Sequence, residues 1–314
     1  MTLSKKWKLK TSLRGRFATA AITSLLLLAA CDDDSSTSPV TPSNNEQSGS
    51  SSSSVSLSDS DGSSSSKVPD PAEGASSSSS VEQNCSALLE EKIGWNWDVP
   101  KECRLNPDIT YGTMTDSRDG QTYKIVKIGD QTWMAENLNY SDGVKTPSLL
   151  ERSWCYNNVA RCDVLGRLYT WAAAIDSVAL YDDGNGVDCG YNKTCTLPAK
   201  VQGICPDGWH LPTNTEWNIL FTEVGGKSAA GKILKSQTGW DNNDNGTDGV
   251  GFSALPAGYR YDYGYFYNVG HDAYFWSATE GSSYHAHRMS LFYEDAGLDD
   301  VSKYYGFSVR CLKD

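Results

Sequence analysis

The sequence predicts an α+β domain that is stapled by disulfides and preceded by a disordered tether. Segments with a helical period come first in the globular part, and short aromatic segments broken by Gly, Pro and Asn come last. The nine cysteines predict the disulfides, and a long serine-rich stretch predicts the tether. The chain beyond Cys85 is long enough to bury one sizeable core.

Residues 1–30 are predicted to be a lipoprotein signal peptide. Six basic residues precede the apolar run "FATAAITSLLLLAA", which is too short to span a bilayer comfortably. Small Ala29 and Ala30 then precede Cys31, whose thiol we expect to carry a lipid. An ordinary secretory signal with a nearby cysteine is the alternative. The lipid would be a membrane partner and would place the protein in the bacterial envelope, at the outer membrane or cell surface rather than the inner membrane.

Residues 31–82 are predicted to be a disordered linker, because 22 serines and no aromatic residue leave too little apolar surface to offset the entropy of ordering. Removing the six basic residues of 1–30 from the 27 in the chain leaves 21 Lys and Arg against 39 Asp and Glu. So acidic a chain is not expected to bind nucleic acid, which needs a basic face.

Eight cysteines remain beyond Cys31, and an even number in an exported chain predicts disulfides. Spacing suggests three close pairs: Cys85 with Cys103, Cys155 with Cys162, and Cys189 with Cys195. The first pair would close a small segment at 83–114. The two remaining cysteines, Cys205 and Cys311, would pair over a long loop. A zinc site is the less favoured alternative, because the chain has no C-x-x-C spacing.

Two strands joined by Gly129 and Asp130 are predicted in "YKIVKIGDQTWMAENLNY", since Gly first in a two-residue loop suits a type II′ hairpin. A helix is predicted in "GRLYTWAAAID", where Leu168 to Ile175 keep a helical period. A second helix has Thr213 and Glu216 at capping-box spacing, and Gly225-Gly226 ends it. Short strands are predicted in "GFSALPAG", "YFWSATE", "AHRMSLFY" and "GFSVRCL".

From about Thr115 to the C-terminus, the chain resembles the Fibrobacter succinogenes major paralogous domain. Six blocks carry the resemblance in order: "DGQTYKIVKIGDQTWMAENLNY", "GRLYTWAAAI", "CPDGWHLPTNTEW", "GFSALPAGYR", "FWSATE" and "GFSVRCLKD". The resemblance implies a C-type lectin-like fold over 115–314, with two helices, a small twisted antiparallel sheet and a long loop region. It implies exported, often lipid-anchored proteins, and it fixes the fold better than the function.

Tyrosine occupies every second position from 259 to 267 in "GYRYDYGYFYN". In the family pattern, Tyr259, Arg260, Phe275 and Trp276 belong to the framework. Tyr261, Tyr263, Tyr265 and Tyr267 are the candidates for a ligand-binding surface, because aromatic rings stack on the apolar faces of sugars. An aromatic-rich loop that packs on its own domain is the alternative.

A calcium site is a weaker candidate in "DNNDNGTDG", where the spacing matches the first half of an EF-hand loop. The oxygen ligands would come from Asp241, Asn243, Asn245 and Asp248. The loop has Phe252 where an EF-hand has Glu, so a polar turn is the favoured alternative.

The sequence contains none of the common catalytic motifs, so an enzyme is not expected. Formylglycine-generating enzymes have a similar fold but use a reactive cysteine pair near the C-terminus, where this chain has only Cys311. We therefore expect a lipid-anchored binding or adhesion module for carbohydrate or another surface polymer. A structural envelope protein that contacts other proteins is the alternative.

Overall fold

The computed structural model describes residues 85–90, 92–158, 162–181 and 189–314. These residues form a mixture of helices and strands, which confirms the α+β prediction. The signal peptide, Cys31 and the linker at 31–82 lie outside the described residues. Within the described part, every helix is too short or too polar to cross a membrane.

The first sheet has the strand order β1-β2-β3-β12-β6. Its strands are β1 (Gly112–Thr115), β2 (Thr122–Ile128), β3 (Gln131–Met134), β6 (Trp209–His210) and β12 (Leu312–Lys313). The hairpin predicted between β2 and β3 is confirmed, and Gly129 has the positive φ of 57° that the first position of its turn requires. Leu312 pairs with both Trp133 and His210, so β12 lies inside this sheet rather than at its edge.

The second sheet has the order β11-β10-β9-β7-β8 and contains the strands predicted in "YFWSATE" and "AHRMSLFY". Its strands are β7 (Ala257–Arg260), β8 (Phe266–Val269), β9 (Ala273–Glu280), β10 (His285–Phe292) and β11 (Asp295–Ser302). The strands predicted in "GFSALPAG" and "GFSVRCL" form only at their ends, where Ala257 begins β7 and Leu312 begins β12. The strand β11 was not predicted, because "DAGLDDVS" has little β propensity; it forms by pairing with β10 at every residue. A separate pair joins β4 (Ser153–Trp154) to β5 (Leu168–Tyr169).

After a helical segment at 85–89, the helices are α1 (Cys162–Leu165), α2 (Trp171–Ala174), α3 (Ser177–Leu180), α4 (Asn214–Glu223) and α5 (Lys227–Leu234). In the part of the chain that the structure describes, short 3₁₀ segments lie at Lys101–Arg104, Pro147–Leu149, Tyr156–Asn158 and Asp241–Asn243. The capping box predicted for α4 is confirmed, with reciprocal bonds between Thr213 and Glu216. The helix α5, which follows the two glycines, was not predicted.

The helix predicted from Leu168 to Ile175 is wrong at its start. Leu168 pairs with Trp154 in the β4–β5 ladder, and the helix begins only at Trp171. Thr170 separates the two elements, because its backbone is extended and its side chain accepts a hydrogen bond from the amide of Ala173. A tertiary strand pair therefore overrides the helical period of this segment.

The core joins the two sheets through α4. Trp133 of β3 stacks on Trp217 of α4, with ring centroids 4.6 Å apart, and Trp217 contacts Phe275 of β9 at 6.0 Å. All three side chains are fully buried. Each aromatic contact adds to the burial of apolar surface, so these rings hold the helix between both sheets.

The structure forms the four disulfides in the pairs suggested by spacing. Their Cα atoms lie between 5.1 and 5.8 Å apart, which is the usual range: Cys85–Cys103, Cys155–Cys162, Cys189–Cys195 and Cys205–Cys311. The longest loop, with a sequence separation of 106, is closed by Cys205 and Cys311. This bond ties the segment before β6 to the residue before β12.

Candidate functional site

The five alternate tyrosines form a hairpin and not a single strand. We call residues 257–269, which comprise β7, β8 and the turn between them, the tyrosine hairpin. Tyr259 of β7 faces Tyr267 of β8 across the ladder. The turn is closed by a 2.7 Å hydrogen bond from the amide of Tyr261 to the carbonyl of Tyr265, and Gly264 supplies a φ of 92°.

Exposure divides the tyrosine hairpin into a base and a tip. The exposed fractions of Tyr263, Tyr265 and Tyr267 are 80%, 66% and 44%. Tyr259 is half-buried at the base, where its ring contacts Tyr274 and other core aromatics. The tip therefore presents the phenol rings of Tyr263 and Tyr265 to solvent, and the ring of Tyr267 is exposed lower down, on β8 opposite Tyr259.

Tyr261 connects the exposed tip to the domain below it. Its ring centroid lies 4.8 Å from that of Tyr305 and 5.6 Å from that of Tyr263. Burial raises the pKa of the Tyr305 phenol, and a hydrogen bond with Tyr261 raises it further. The ring contact with Tyr305 therefore links Tyr261 to the domain.

The hairpin residues between the tyrosines line a cleft of about 460 Å³. Its walls include Trp154, Tyr191, Lys193, Arg260, Asp262 and Tyr304, and we refer to this space as the cleft. The guanidinium carbon of Arg260 lies 3.8 Å from the centroid of the Trp154 ring. One hairpin thus supplies both the exposed tyrosines and two charged groups of the cleft.

A second aromatic cluster lies at the cleft and was missed by sequence reasoning. Tyr191 stacks on Tyr304 with ring centroids 4.2 Å apart and contacts Tyr284 edge-on at 5.1 Å. All three side chains are partly exposed. The only sequence signal was indirect, because Cys189 and Cys195 bracket the loop that carries Tyr191.

A buried ammonium group fixes that loop from below. Lys303 donates hydrogen bonds to the carbonyls of Gly190 and Lys193 and to the carboxylate of Glu280. Glu280 in turn accepts from the amide of Cys195. Burial lowers the pKa of Lys303, and the hydrogen bond with Glu280 opposes this effect. The wall formed by Tyr191 is therefore held in place before any ligand arrives.

Three of the four residues proposed for calcium, Asp241, Asn245 and Asp248, have separate hydrogen-bond partners. Asp241 accepts from the amide of Trp95, and Asn245 accepts from the amide of Trp240. Asp248 is buried, where it accepts from the amide and hydroxyl of Ser253. Burial raises the pKa of Asp248 to about 6. The described residues contain no cluster of three or more His, Cys, Asp or Glu side chains that could hold a metal, and calcium binding stays a prediction.

A family model described as the Fibrobacter succinogenes major domain matches residues 126–313. The match covers more than half of the chain and includes the tyrosine hairpin, the cleft and three of the four disulfides. No curated protein and no solved structure matches the chain. The chain therefore belongs to the Fibrobacter succinogenes major domain family.

Proposed function

We propose that this protein is a lipid-anchored, non-catalytic binding module whose ligand is a carbohydrate or a similar surface polymer. The observation that carries the proposal is the exposure of Tyr263, Tyr265 and Tyr267 on the tyrosine hairpin. Large aromatic side chains dominate cores and interfaces because they bury much area, and an exposed group of them is typical of a contact surface. Tyrosine also adds a hydroxyl that can bind a sugar hydroxyl.

The proposed architecture explains why such a surface would be tethered. A lipid on Cys31 would hold the chain at the outer membrane or cell surface, and the linker at 31–82 would let the domain reach its ligand. We propose a C-type lectin-like fold for the domain. The antiparallel strands, the helix α4 and the Cys205–Cys311 bond around a loop-rich region support this assignment.

A glycan and polysaccharide binding screen of the purified, oxidised protein tests the proposal. We expect specific retention that the combined Tyr261→Ala, Tyr263→Ala and Tyr265→Ala substitutions weaken by about tenfold or more, because stacking contacts and apolar area are lost. Phe292→Ala is the matched control, since it removes a half-exposed aromatic ring that belongs to neither the hairpin nor the cleft.

The screen also tests calcium and the competing function. Retention that chelation abolishes would assign calcium a role in binding, and retention unaffected by chelation would leave the aromatic surface as the whole site. A folded protein that retains no glycan would overturn the carbohydrate proposal. Crosslinking to a protein in the envelope would then support the protein-contact alternative.

A further inference from the structure

Arg260 lines the cleft and has no counter-ion among the described residues. Among the described residues, no carboxylate lies within 4 Å of its guanidinium, and its side chain makes one weak hydrogen bond, 3.4 Å to the carbonyl of Tyr261. Acidic residues outnumber basic ones in this chain by 39 to 27, so carboxylates are plentiful. An unpaired arginine in such a chain is available for an anion from outside.

The surroundings of Arg260 keep its guanidinium open. Trp154 supports one face of the group, which orients it without using its N–H donors. Gly264 passes close by, and a Cβ atom at that position would lie 3.2 Å from a guanidinium nitrogen. Burial lowers the pKa of Arg260, and Asp262 opposes this effect without forming an ion pair.

The charge of the cleft fits one negative charge on the ligand. Among the described residues that line the cleft, Lys303 is neutralised by Glu280, which leaves the cations Arg152, Lys193 and Arg260 against two anions, Glu151 and Asp262. These groups carry a net charge of one positive unit, which would balance only half of the charge of a dianion such as a phosphate monoester. Such a dianion would also be repelled by the two carboxylates. A carboxylate carries one charge and matches the planar fork of arginine.

The shape and backbone of the cleft also favour a sugar unit. Its volume of about 460 Å³ is in the range of small-molecule sites, and the stacked rings of Tyr191 and Tyr304 form an aromatic wall. Glu151 at its rim has a φ of 56°, a conformation that costs about 1–3 kcal/mol and recurs at ligand clamps. The side chains of Glu151 and Asp262 can accept hydrogen bonds from sugar hydroxyls.

We infer that the cleft binds an acidic sugar unit, with the ligand carboxylate on Arg260 and the ring against the Tyr191–Tyr304 wall. The inference rests on the proposed function, because the same polymer would cross the tyrosine hairpin that carries Arg260. The ligand inferred in this way is a polysaccharide that contains uronate units.

Titration calorimetry with matched saccharides tests the inference. The probes are oligosaccharides of galacturonate, glucuronate and mannuronate, their methyl esters, and a neutral cello-oligosaccharide. Esterification removes the charge and keeps the sugar ring. We expect at least one acid to bind about tenfold or more tightly than its ester.

Arg260→Gln is expected to bring that acid to the affinity of its ester while leaving the ester unchanged. Arg260→Lys keeps the charge without the fork and is expected to retain part of the preference. Lys127→Gln, which removes an exposed charge from β2, is the control and is expected to change affinity less than about twofold. The thermal midpoint of each variant checks that it is folded.

The measurements separate a failure of the acidic-sugar inference from a failure of the proposed function. Equal binding of acids and esters, or an acid preference that survives Arg260→Gln, would overturn the inference while glycan binding through the tyrosine hairpin stands. If the folded protein binds neither acidic nor neutral saccharides, the proposed function fails and the inference fails with it.

Discussion

Lys303 and Glu280 form a buried ion pair beneath the cleft, with the ammonium nitrogen 2.5 Å from a carboxylate oxygen. The side chain of Lys303 has no exposed surface, and its other two hydrogen bonds hold the loop of Tyr191. Cleft geometry and fold stability therefore depend on the same lysine.

Lys303→Met is expected to destabilise the protein by about 3–5 kcal/mol, because it leaves the carboxylate of Glu280 without its buried partner. Adding Glu280→Gln removes that stranded charge, so the double variant is expected to regain part of the loss. Urea unfolding of the two single variants and the double variant measures the coupling. Additive effects of the two substitutions would contradict the prediction.

Arg310→Met is expected to lower the free energy of unfolding by about 3 kcal/mol or more. The fully buried guanidinium donates to Asn137 and to the carbonyls of Met134, Phe252 and Ser253. Methionine fills a similar space but donates nothing, so these acceptors lose their partners. Arg310→Lys keeps a charge but cannot reach all four oxygens, and it is expected to be destabilising too. An unfolding midpoint unchanged in both variants would show that water replaces the guanidinium.

His210 is expected to give the protein a stability maximum between about pH 4.5 and 6.5. Burial would lower the pKa of His210, but hydrogen bonds with Glu216 and Asp314 outweigh it and raise the pKa. Burial would likewise raise the pKa of Glu216, but hydrogen bonds from His210 and Thr213 lower it to about 2. The raised pKa stabilises the fold below the unfolded histidine value of 6.5, and this contribution is lost as pH rises through the folded value. The lowered pKa stabilises above the unfolded glutamate value of 4.5, and this contribution is lost as pH falls towards 2.

Thermal midpoints measured from pH 3 to 9 on the native protein and on His210→Gln check this dependence. The variant is expected to lose the decline in stability above about pH 6.5. A decline of the same size in both proteins would assign it to other groups.

The Cys205–Cys311 bond is expected to add about 2 kcal/mol more to the free energy of unfolding than the Cys155–Cys162 bond. In the chain-entropy model, loops with sequence separations of 106 and 7 give about 4.8 and about 2.5 kcal/mol. Each disulfide is removed by replacing both of its cysteines with alanine. Denaturant unfolding then measures the loss in the free energy of unfolding for each variant. Equal losses, or a larger loss for the short loop, would contradict the entropic account.

Tyr263→Ala and Tyr265→Ala are each expected to change stability by less than about 0.5 kcal/mol, because both rings are exposed. Tyr259→Ala is expected to cost about 2 kcal/mol or more, since this ring packs against Tyr274, Tyr305 and Phe307. Denaturant midpoints of the three single variants check the division of the hairpin into base and tip. Three similar losses would mean that the tip also packs on the domain.

Features set by neighbouring residues could be predicted from the sequence. The start of α4 depends on Thr213 and Glu216, three residues apart, and the turn of the β2–β3 hairpin depends on Gly129. The family blocks also led to the correct family. Tyr263 and Tyr265 are exposed while Tyr259 and Tyr261 are half-buried, and ligand binding by this hairpin stays a prediction.

Features set by distant residues could not be predicted. Tyr191 and Tyr304 are more than a hundred residues apart, and no period or motif connects them. Leu168 has a helical pattern around it but forms a strand because Trp154 lies beside it. The cleft is built from such long-range contacts. The tyrosine hairpin could therefore be predicted from the sequence, whereas the opposite wall, formed by Tyr191 and Tyr304, could not.

The central position of β12 has a consequence for the order of assembly. Leu312 joins β3 to β6, and the neighbouring Cys311 is bonded to Cys205. A chain that emerges N-terminus first cannot close this sheet, or form this disulfide, until the segment around Leu312 has emerged as well. Cys205 must therefore wait without its partner and β3 and β6 must wait unjoined, so completion of the first sheet becomes a late event.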